Sequence, residues 1–252
     1  MKSSARRRIE GLGPSAGLPY VYLLHALCED SKTSPSDHRI FELGNEALAA
    51  LSPGSALSGI PEVHGWWTDR QARDALIVSV RAELEGPLLL SIPGCPGRCD
   101  SVGRILPDLE EILYRYDRPR SAPDHQHLPL LKGNTDREAI AASEAYSREA
   151  MEYASSAGLR LAVLPDAELG WSARCYLEER PWRYLEIAGV ETHPRRRRRG
   201  WGKQLLRLVM AAWGGEVAGF LYLSFSDNEP SRRLAESAGF LPVTRFRKHL
   251  ID

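Results

Sequence analysis

A run of five arginines, Arg195 to Arg199, is the feature of this sequence best suited to chemistry. Lys203 and Arg207 extend the run to seven cations in thirteen residues, and no acidic residue lies among them. Cations at this density complement a ligand that carries several phosphates. The spacing therefore predicts a segment that binds a polyphosphate.

The surroundings of the run favour a discrete phosphate site. Tyr184 to Thr192 predicts a strand before it, and Gly200-Trp201-Gly202 leads into a predicted helix, Gly202 to Trp213. The first N–H groups of a helix lack partners within the helix, the helix dipole adds positive charge there, and glycines allow close approach of a ligand. Arginine runs also bind RNA. Because glycines and a helix start follow directly, we favour a pyrophosphate over an extended nucleic-acid backbone.

At these residues the chain resembles the GNAT superfamily of acyl-CoA N-acyltransferases. The family's loop is Gln/Arg-x-x-Gly-x-Gly/Ala, after a strand that often ends in Val-x-Val-x-Pro. Here Val190-Glu191-Thr192-His193-Pro194 precedes Arg197-Arg198-Arg199-Gly200-Trp201-Gly202. Further on, Ser226-Asp227-Asn228 with Ser231, Leu234 and Gly239-Phe240 is similar to the family's Asn-x-x-Ala-x-x-Leu-Tyr-x-x-x-Gly-Phe segment.

The resemblance implies that the loop holds the pyrophosphate of coenzyme A and that the preceding strand pairs with the pantetheine arm. It implies acetyl-CoA or another acyl-CoA as co-substrate, and we expect no metal. The acyl-CoA contacts that it implies come from Val190, Thr192, Arg197, Arg198, Arg199, Gly200, Trp201, Gly202, Lys203, Asn228 and Ser231.

One position departs from the family pattern. Ala235 stands where the family often has a tyrosine that protonates the departing thiolate. The proton must then come from another group or from water. Ser231, Ser237 and Tyr222 are nearby in sequence, but none has the family's spacing.

The implied reaction is direct attack of an amine on the acyl thioester, which requires a base for the amine proton and a donor for the developing oxyanion. By resemblance, the donor is a backbone N–H near Val190 and the base a glutamate of the same strand. Glu186 and Glu191 are five residues apart, so a regular strand presents them on opposite faces, and a bulge would change that parity. We favour Glu191, with a solvent-facing edge carboxylate as the alternative interpretation.

The elements that must position these residues alternate between strand and helix. A capping-box spacing at Thr135 and Glu138 predicts a helix that stops at Gly158. Further strands are predicted at 159–164, 172–177, 220–225 and 244–250, and a short helix at 230–238. The pattern predicts an α/β fold, and the resemblance implies a GNAT-like mixed central sheet flanked by helices.

The first half of the chain carries weaker signals. Residues 42–51 are a candidate helix, Ala75 to Val80 and Pro87 to Ile92 candidate strands, and Leu106 to Tyr116 has helical spacing. Residues 118–129 are a candidate linker. We therefore divide the chain into a divergent region, 1–130, and an acyl-CoA-binding domain, 131–252. The first region is interpreted either as a companion lobe that shapes the acceptor pocket, such as a degenerate second GNAT lobe, or as the first elements of the same sheet.

Composition limits the function classes. Lysine plus arginine equals aspartate plus glutamate, 33 each, which argues against a dedicated nucleic-acid partner. The four cysteines, including the neighbours Cys95 and Cys99, lack zinc-site spacing and are interpreted as free thiols in a reducing cytoplasm. No apolar run approaches membrane-spanning length. Two histidines near Asp124 on a proline-bounded loop define no metal site.

Together these features predict a cytoplasmic N-acyltransferase that acts on a small primary amine or amino-acid-like acceptor. Two alternatives stay open. One is an aminoacyl-tRNA-dependent transferase of the Fem-like type, and the other is a non-catalytic CoA-binding module with the GNAT fold.

Overall fold

The computed structural model describes residues 4–29, 39–52, 60–84, 86–93, 103–117, 131–132, 142–156 and 159–251. The chain forms two compact units. The N-terminal unit contains Met1–Ile112 and Val243–Asp252, and the C-terminal unit contains Leu113–Pro242. Both units combine strands and helices, which confirms the predicted α/β class.

The described helices are α1 (Ser4–Glu10), α2 (Pro14–Gly17), α3 (Val21–Glu29), α4 (Arg70–Arg81), α5 (142–145), α6 (Arg148–Ser156), α7 (Trp201–Trp213) and α8 (Glu229–Ser237). The described strands are β1 (Arg39–Leu43), β2 (Ala47–Ser52), β3 (Glu62–Trp67), β4 (Leu88–Pro93), β5 (Arg104–Ile105), β6 (Glu111–Asp117), β7 (Leu131–Lys132), β8 (Arg160–Asp166), β9 (Gly170–Arg180), β10 (Tyr184–Thr192), β11 (Gly219–Phe225) and β12 (Leu241–Ile251). No helix in the described ranges is long and apolar enough to cross a membrane.

In the N-terminal unit the strand order is β1-β2-β3-β4-β12, and β5 pairs with β12. Strands β1 to β3 are antiparallel, whereas β3 and β4 are parallel and are connected through α4. The core lies between α4 and this sheet, where Leu76 and Val80 pack with Val63, Leu90 and Ile92. Burial of these apolar side chains holds α4 on the sheet.

In the C-terminal unit the order is β6-β11-β10-β9-β8-β7. Strands β8, β9 and β10 are antiparallel neighbours, while β10 and β11 are parallel and are connected through α7. Helix α7 buries Leu205, Leu206 and Val209, the apolar stripe that its sequence predicts. The mixed sheet with flanking helices agrees with the predicted architecture.

Most predicted elements of the C-terminal unit are confirmed. The predicted strand at Tyr184 to Thr192 is β10, and the helix predicted to end at Trp213 is α7. The strands predicted at 159–164, 172–177 and 220–225 correspond to β8, β9 and β11, and the predicted helix at 230–238 to α8. The strand predicted at 244–250 is β12, and these residues belong to the N-terminal unit.

Three predictions for the first half of the chain were wrong. Residues 42–51 lie in the β1–β2 hairpin and are not helical. Ala47 to Leu51 are all buried, and a strand buried on both faces lacks the alternation of apolar and polar residues that would predict it. Ala75 to Val80 belongs to α4, where Val78 is exposed and only one face is buried. Leu106 to Tyr116 contains a 3₁₀ turn and β6, whose buried residues are consecutive.

The structure breaks the predicted helix at 135–158 in its described part. Helical residues 142–145 are separated from α6, and the Tyr146 hydroxyl at the break donates to the carbonyl of Cys175 at 2.8 Å. Outside the described residues lie the capping box at Thr135, the stop at Gly158, the linker at 118–129 with its histidines, and the Cys95–Cys99 pair.

Candidate active site

The central feature of the C-terminal unit is a fork between β10 and β11. Parallel pairing runs from Tyr184 opposite Gly219 to Ile187 opposite Tyr222 and then stops. Strand β10 continues to Thr192 in pairing with β9 on its other side. Residues 188–192 therefore present a strand edge to the fork that β11 does not occupy. Such an edge can pair with an extended ligand.

A β-bulge shapes this edge. The register of β10 on β9 shifts between Ala188, opposite Tyr176, and Glu191, opposite Arg174. Gly189 has a φ of 57°, and a Cβ there would lie 2.8 Å from the Tyr176 ring, so the bulge requires glycine. A bulge is the feature expected to change the strand parity of the two glutamates.

The bulge places Glu186 and Glu191 on one face of the sheet. Their partners on β9, Glu178 and Arg174, are four residues apart and share a face. The regular-strand expectation that the two glutamates face opposite sides was therefore wrong, because the extra residue reverses the alternation.

The segment between β10 and α7 contains two residues in the left-handed backbone conformation. One 3₁₀ turn, Pro194–Arg196, is followed by Arg198 with a φ of 60° and Gly200 with a φ of 80°. Gly200 is the N-cap of α7, and no side chain caps the helix. The start of α7 thus keeps its partial positive charge available to a ligand.

Gly202 anchors the loop to the rest of the unit. It is buried, and a Cβ added there would meet the Thr192 hydroxyl oxygen at 3.2 Å and the Leu234 side chain at 3.3 Å. The second glycine of the loop therefore permits close packing of α7 on the end of β10 and on α8.

The arginine run is divided by its ion pairs. Arg195 contacts Glu168 at 3.0 Å, and Arg196 contacts Asp166 at 2.6 Å and Glu168 at 2.9 Å. Hydrogen bonds from Arg196 and from Ser172 hold the pKa of Asp166 well below its usual range. Two of the seven cations are therefore balanced by acids near the β8–β9 turn, a pairing that differs from the prediction that the whole run binds the ligand.

The other five cations of the run make no ion pair with a carboxylate in the described part of the chain. These five are Arg197, Arg198, Arg199, Lys203 and Arg207. The three arginines are exposed, and the guanidinium of Arg197 reaches back to the Thr192 carbonyl at 3.4 Å. Exposed cations beside an uncapped helix start form a site suited to a polyphosphate.

The two candidate bases differ in exposure. Glu191 accepts from Nε of Arg174 at 2.9 Å and its side chain is 41% exposed. Glu186 accepts from Arg180 at 2.6 Å and is only 4% exposed. Arg180 also binds Glu178, so Glu186 belongs to an enclosed ion-pair cluster. Of the two, Glu191 is the more accessible carboxylate.

Arg174, the ion-pair partner of Glu191, is held by two aromatic rings. The guanidinium of Arg174 lies 4.8 Å from the ring centre of Tyr146 and 4.5 Å from that of Trp171. These contacts fix the arginine through cation–π attraction. His193 packs edge-on against Trp171 at 5.0 Å and accepts from the backbone N–H of Arg195, a structural position at the strand end.

The second motif forms the start of α8. Asn228 is the N-cap, and its side-chain oxygen accepts from the N–H of Ser231 at 3.2 Å. The Ser231 hydroxyl lies 2.8 Å from the hydroxyl of Tyr222, whose pKa is raised by burial. Ala235 is completely buried.

Residues 139–240 match the family model described as the acetyltransferase (GNAT) family. No curated protein matches the chain.

Solved structures share the fold over nearly the whole chain. A GCN5-related N-acetyltransferase from Kribbella flavida has a TM-score of 0.62 at 16% identity, covering 94% of this chain and 95% of its own. A GNAT-family acetyltransferase from Colwellia psychrerythraea has a TM-score of 0.60 at 11% identity, covering 92% and 96%. A tandem GNAT protein from the clavulanic acid biosynthesis pathway has a TM-score of 0.58 at 16% identity, covering 99% and 96%. At these identities the likeness concerns the fold, and it confirms the predicted GNAT-like architecture.

Proposed function

We propose that the protein transfers an acyl group from acyl-CoA to a primary amine, on the premise that residues 139–240 match the model of the acetyltransferase (GNAT) family. Acetyl is the proposed acyl group. The observation that carries the proposal is the open cationic loop, in which an uncapped helix start adjoins Arg197, Arg198 and Arg199.

In this proposal the loop binds the pyrophosphate of the co-substrate. The backbone of Gly200, Trp201 and Gly202 offers N–H groups at the start of α7, and the open arginines and Lys203 offer charge-assisted hydrogen bonds. Because Arg195 and Arg196 already bind Asp166 and Glu168, we assign them to holding the loop in place rather than to the ligand.

The unoccupied edge of β10 then receives the pantetheine arm. Residues 190–192 follow the bulge at Gly189 and offer strand backbone that an amide-containing chain can pair with. We propose that a backbone N–H at or near Val190 binds the thioester carbonyl and stabilises the oxyanion that forms on attack. Asn228 and Ser231 approach the arm from the start of α8.

Glu191 is the proposed base. Its carboxylate is held by Arg174 and is accessible, whereas Glu186 is enclosed by Arg180. The amine nitrogen attacks the thioester carbon, a C–N bond forms, and Glu191 takes the nitrogen proton directly or through water. Collapse of the intermediate breaks the C–S bond and releases CoA and the amide.

The division of labour between the two halves of the chain is also a proposal. We propose that residues 131–252 bind acyl-CoA and carry the chemistry, and that residues 1–130 are a degenerate second lobe that contributes to acceptor selection. The parallel β3–α4–β4 arrangement supports this view of the first half.

The test is incubation of the protein with acetyl-CoA and a panel of small primary amines and amino acids, with mass spectrometry of the products. We expect an amine heavier by one acetyl group, with release of free CoA. Glu191→Gln should lower kcat by about 100-fold or more while acetyl-CoA affinity stays within threefold. Glu152→Gln, an exposed carboxylate on α6, is the matched control. Binding of acetyl-CoA with no acylated product from any amine would contradict the proposed transfer.

A further inference from the structure

A pair of hydroxyl groups marks the closed end of the fork. Tyr222 is the last residue of β11 that pairs with β10, opposite Ile187. Its hydroxyl lies 2.8 Å from that of Ser231, in the first turn of α8. Tyr222 is only 3% exposed, whereas Ser231 is partly exposed. The pair therefore connects a buried phenol to an accessible alcohol.

Both hydroxyls are held in place by their surroundings. The ring of Tyr222 packs 5.8 Å from that of Phe240, and the backbone of Ser231 is fixed by the Asn228 cap. The titratable groups that act on Tyr222 are the buried thiol of Cys175 on β9, whose own pKa is raised by burial, and the phenol of Tyr114 on β6. Burial raises the pKa of Tyr222, so its proton is present at neutral pH.

A departing thiolate needs a proton, and the edge of β10 that would carry the thioester arm leads into this fork. We infer that the Tyr222–Ser231 pair supplies that proton, an inference that rests on the proposed acyl transfer. As the C–S bond breaks and sulfur takes the electron pair, the Ser231 hydroxyl proton passes to sulfur and the Tyr222 proton passes to the Ser231 oxygen.

The step balances without a further reactant. It leaves a phenolate at Tyr222, which regains a proton from solvent, and the amine nitrogen supplies one proton to solvent through the base. Ser231 is then the residue that touches the sulfur, and Tyr222 is a positioning residue that acts through it. The phenol is the more acidic member, since an ordinary tyrosine has a pKa of about 10.

The first test needs no acceptor, because it uses free CoA as the probe. A hydroxyl that donates to the bound thiolate stabilises it, so the acid dissociation constant of the bound thiol should fall about tenfold or more in Ser231→Ala and in Tyr222→Phe. Thiolate absorbance measured against pH reports this constant. Tyr114→Phe, another buried tyrosine on a neighbouring strand, should leave it unchanged.

The second test uses turnover of acetyl-CoA with the best amine of the panel. Tyr222→Phe should lower kcat by about 100-fold and remove the alkaline limb of the kcat profile. Replacement of Tyr222 by 3-fluorotyrosine, a more acidic phenol, should restore turnover and move that limb to lower pH. A merely structural role would not move the limb with phenol acidity.

The outcomes separate this inference from the function on which it rests. If the wild-type protein binds no CoA, the proposed function fails and this inference fails with it. If CoA binds but the thiol ionises equally in wild type, Ser231→Ala and Tyr222→Phe, only the proton-donor inference is overturned. An alkaline limb that stays in place with 3-fluorotyrosine overturns it as well.

Discussion

The described chain contains two parallel strand pairs, each connected through a helix, and the two helices differ in how they start. Pairing of β3 with β4 ends at His64 opposite Ser91, and pairing of β10 with β11 ends at Ile187 opposite Tyr222. In the N-terminal unit, Asp69 caps α4, and its carboxylate accepts from the N–H of Ala72 at 2.9 Å. In the C-terminal unit, α7 begins at an uncapped glycine beside open arginines.

The difference shows what converts a strand–helix–strand arrangement into an anion site. A carboxylate at the helix start satisfies an N–H group and repels phosphate, so α4 is stabilised but closed to a polyphosphate. At α7 the stabilising cap is absent, and the same partial charge is left for a ligand. The topology is shared, and the chemistry depends on one residue at the turn and on the charges around it.

The largest effect is expected when an acidic residue like the one at the start of α4 is placed at the start of α7. Gly200→Asp should weaken acetyl-CoA binding by at least tenfold more than Gly200→Asn does, because both side chains meet the same left-handed backbone while only aspartate adds a negative charge. Titration calorimetry of the two variants measures the difference. Equal affinities would mean that the charge at the start of α7 does not matter to the ligand.

The reciprocal change removes the cap from α4. Asp69→Ala should lower the free energy of unfolding by about 1 kcal/mol, since Ala72 loses its side-chain acceptor. Acetyl-CoA affinity should stay unchanged, because Arg70 and Arg73 at the start of α4 are both paired with Asp74, so the helix start lacks open cations. Denaturant unfolding measures the change in stability, and titration calorimetry measures the acetyl-CoA affinity. Tighter binding by Asp69→Ala than by the wild type would show that α4 also binds the ligand.

The smallest expected effect concerns the acids that hold the loop. The pKa of Asp166 is lowered in the folded protein by Arg196, so its stabilising contribution is present above the unfolded pKa of about 3.9 and is lost as pH falls below it. Asp166→Asn should therefore be less stable than wild type at pH 7, and the gap should close on acidification. A stability gap that stays constant from pH 7 to pH 2 would contradict this.

Local patterns made the phosphate loop predictable. The glycines, the arginine run and the helical spacing of Leu205 and Val209 lie within a few residues of one another, so sequence alone indicates the strand, the turn and α7. The same holds for α8, whose cap at Asn228 belongs to a short motif.

Contacts between distant residues could not be predicted. Arg196 finds Asp166 thirty residues away, and Arg174 finds Glu191 seventeen residues away. Neither pairing has a signal in the sequence, because the register of β9 on β8 and β10 decides it. The helix α4 was missed for a related reason: its apolar residues 75–80 are nearly continuous, and only packing reveals that Val78 faces outward.

The central claim is that the open arginines and the uncapped start of α7 bind a nucleotide-bearing thioester carrier. Calorimetric titration with acetyl-CoA tests it most directly in the wild type, in Arg197→Glu/Arg199→Glu, and in Arg148→Glu/Arg160→Glu as a control with the same charge change at exposed positions outside the loop. We predict binding by the wild type and the control, and a loss of about 100-fold or more in the loop variant. Equal affinity in all three proteins, or no binding by the wild type, would contradict the account.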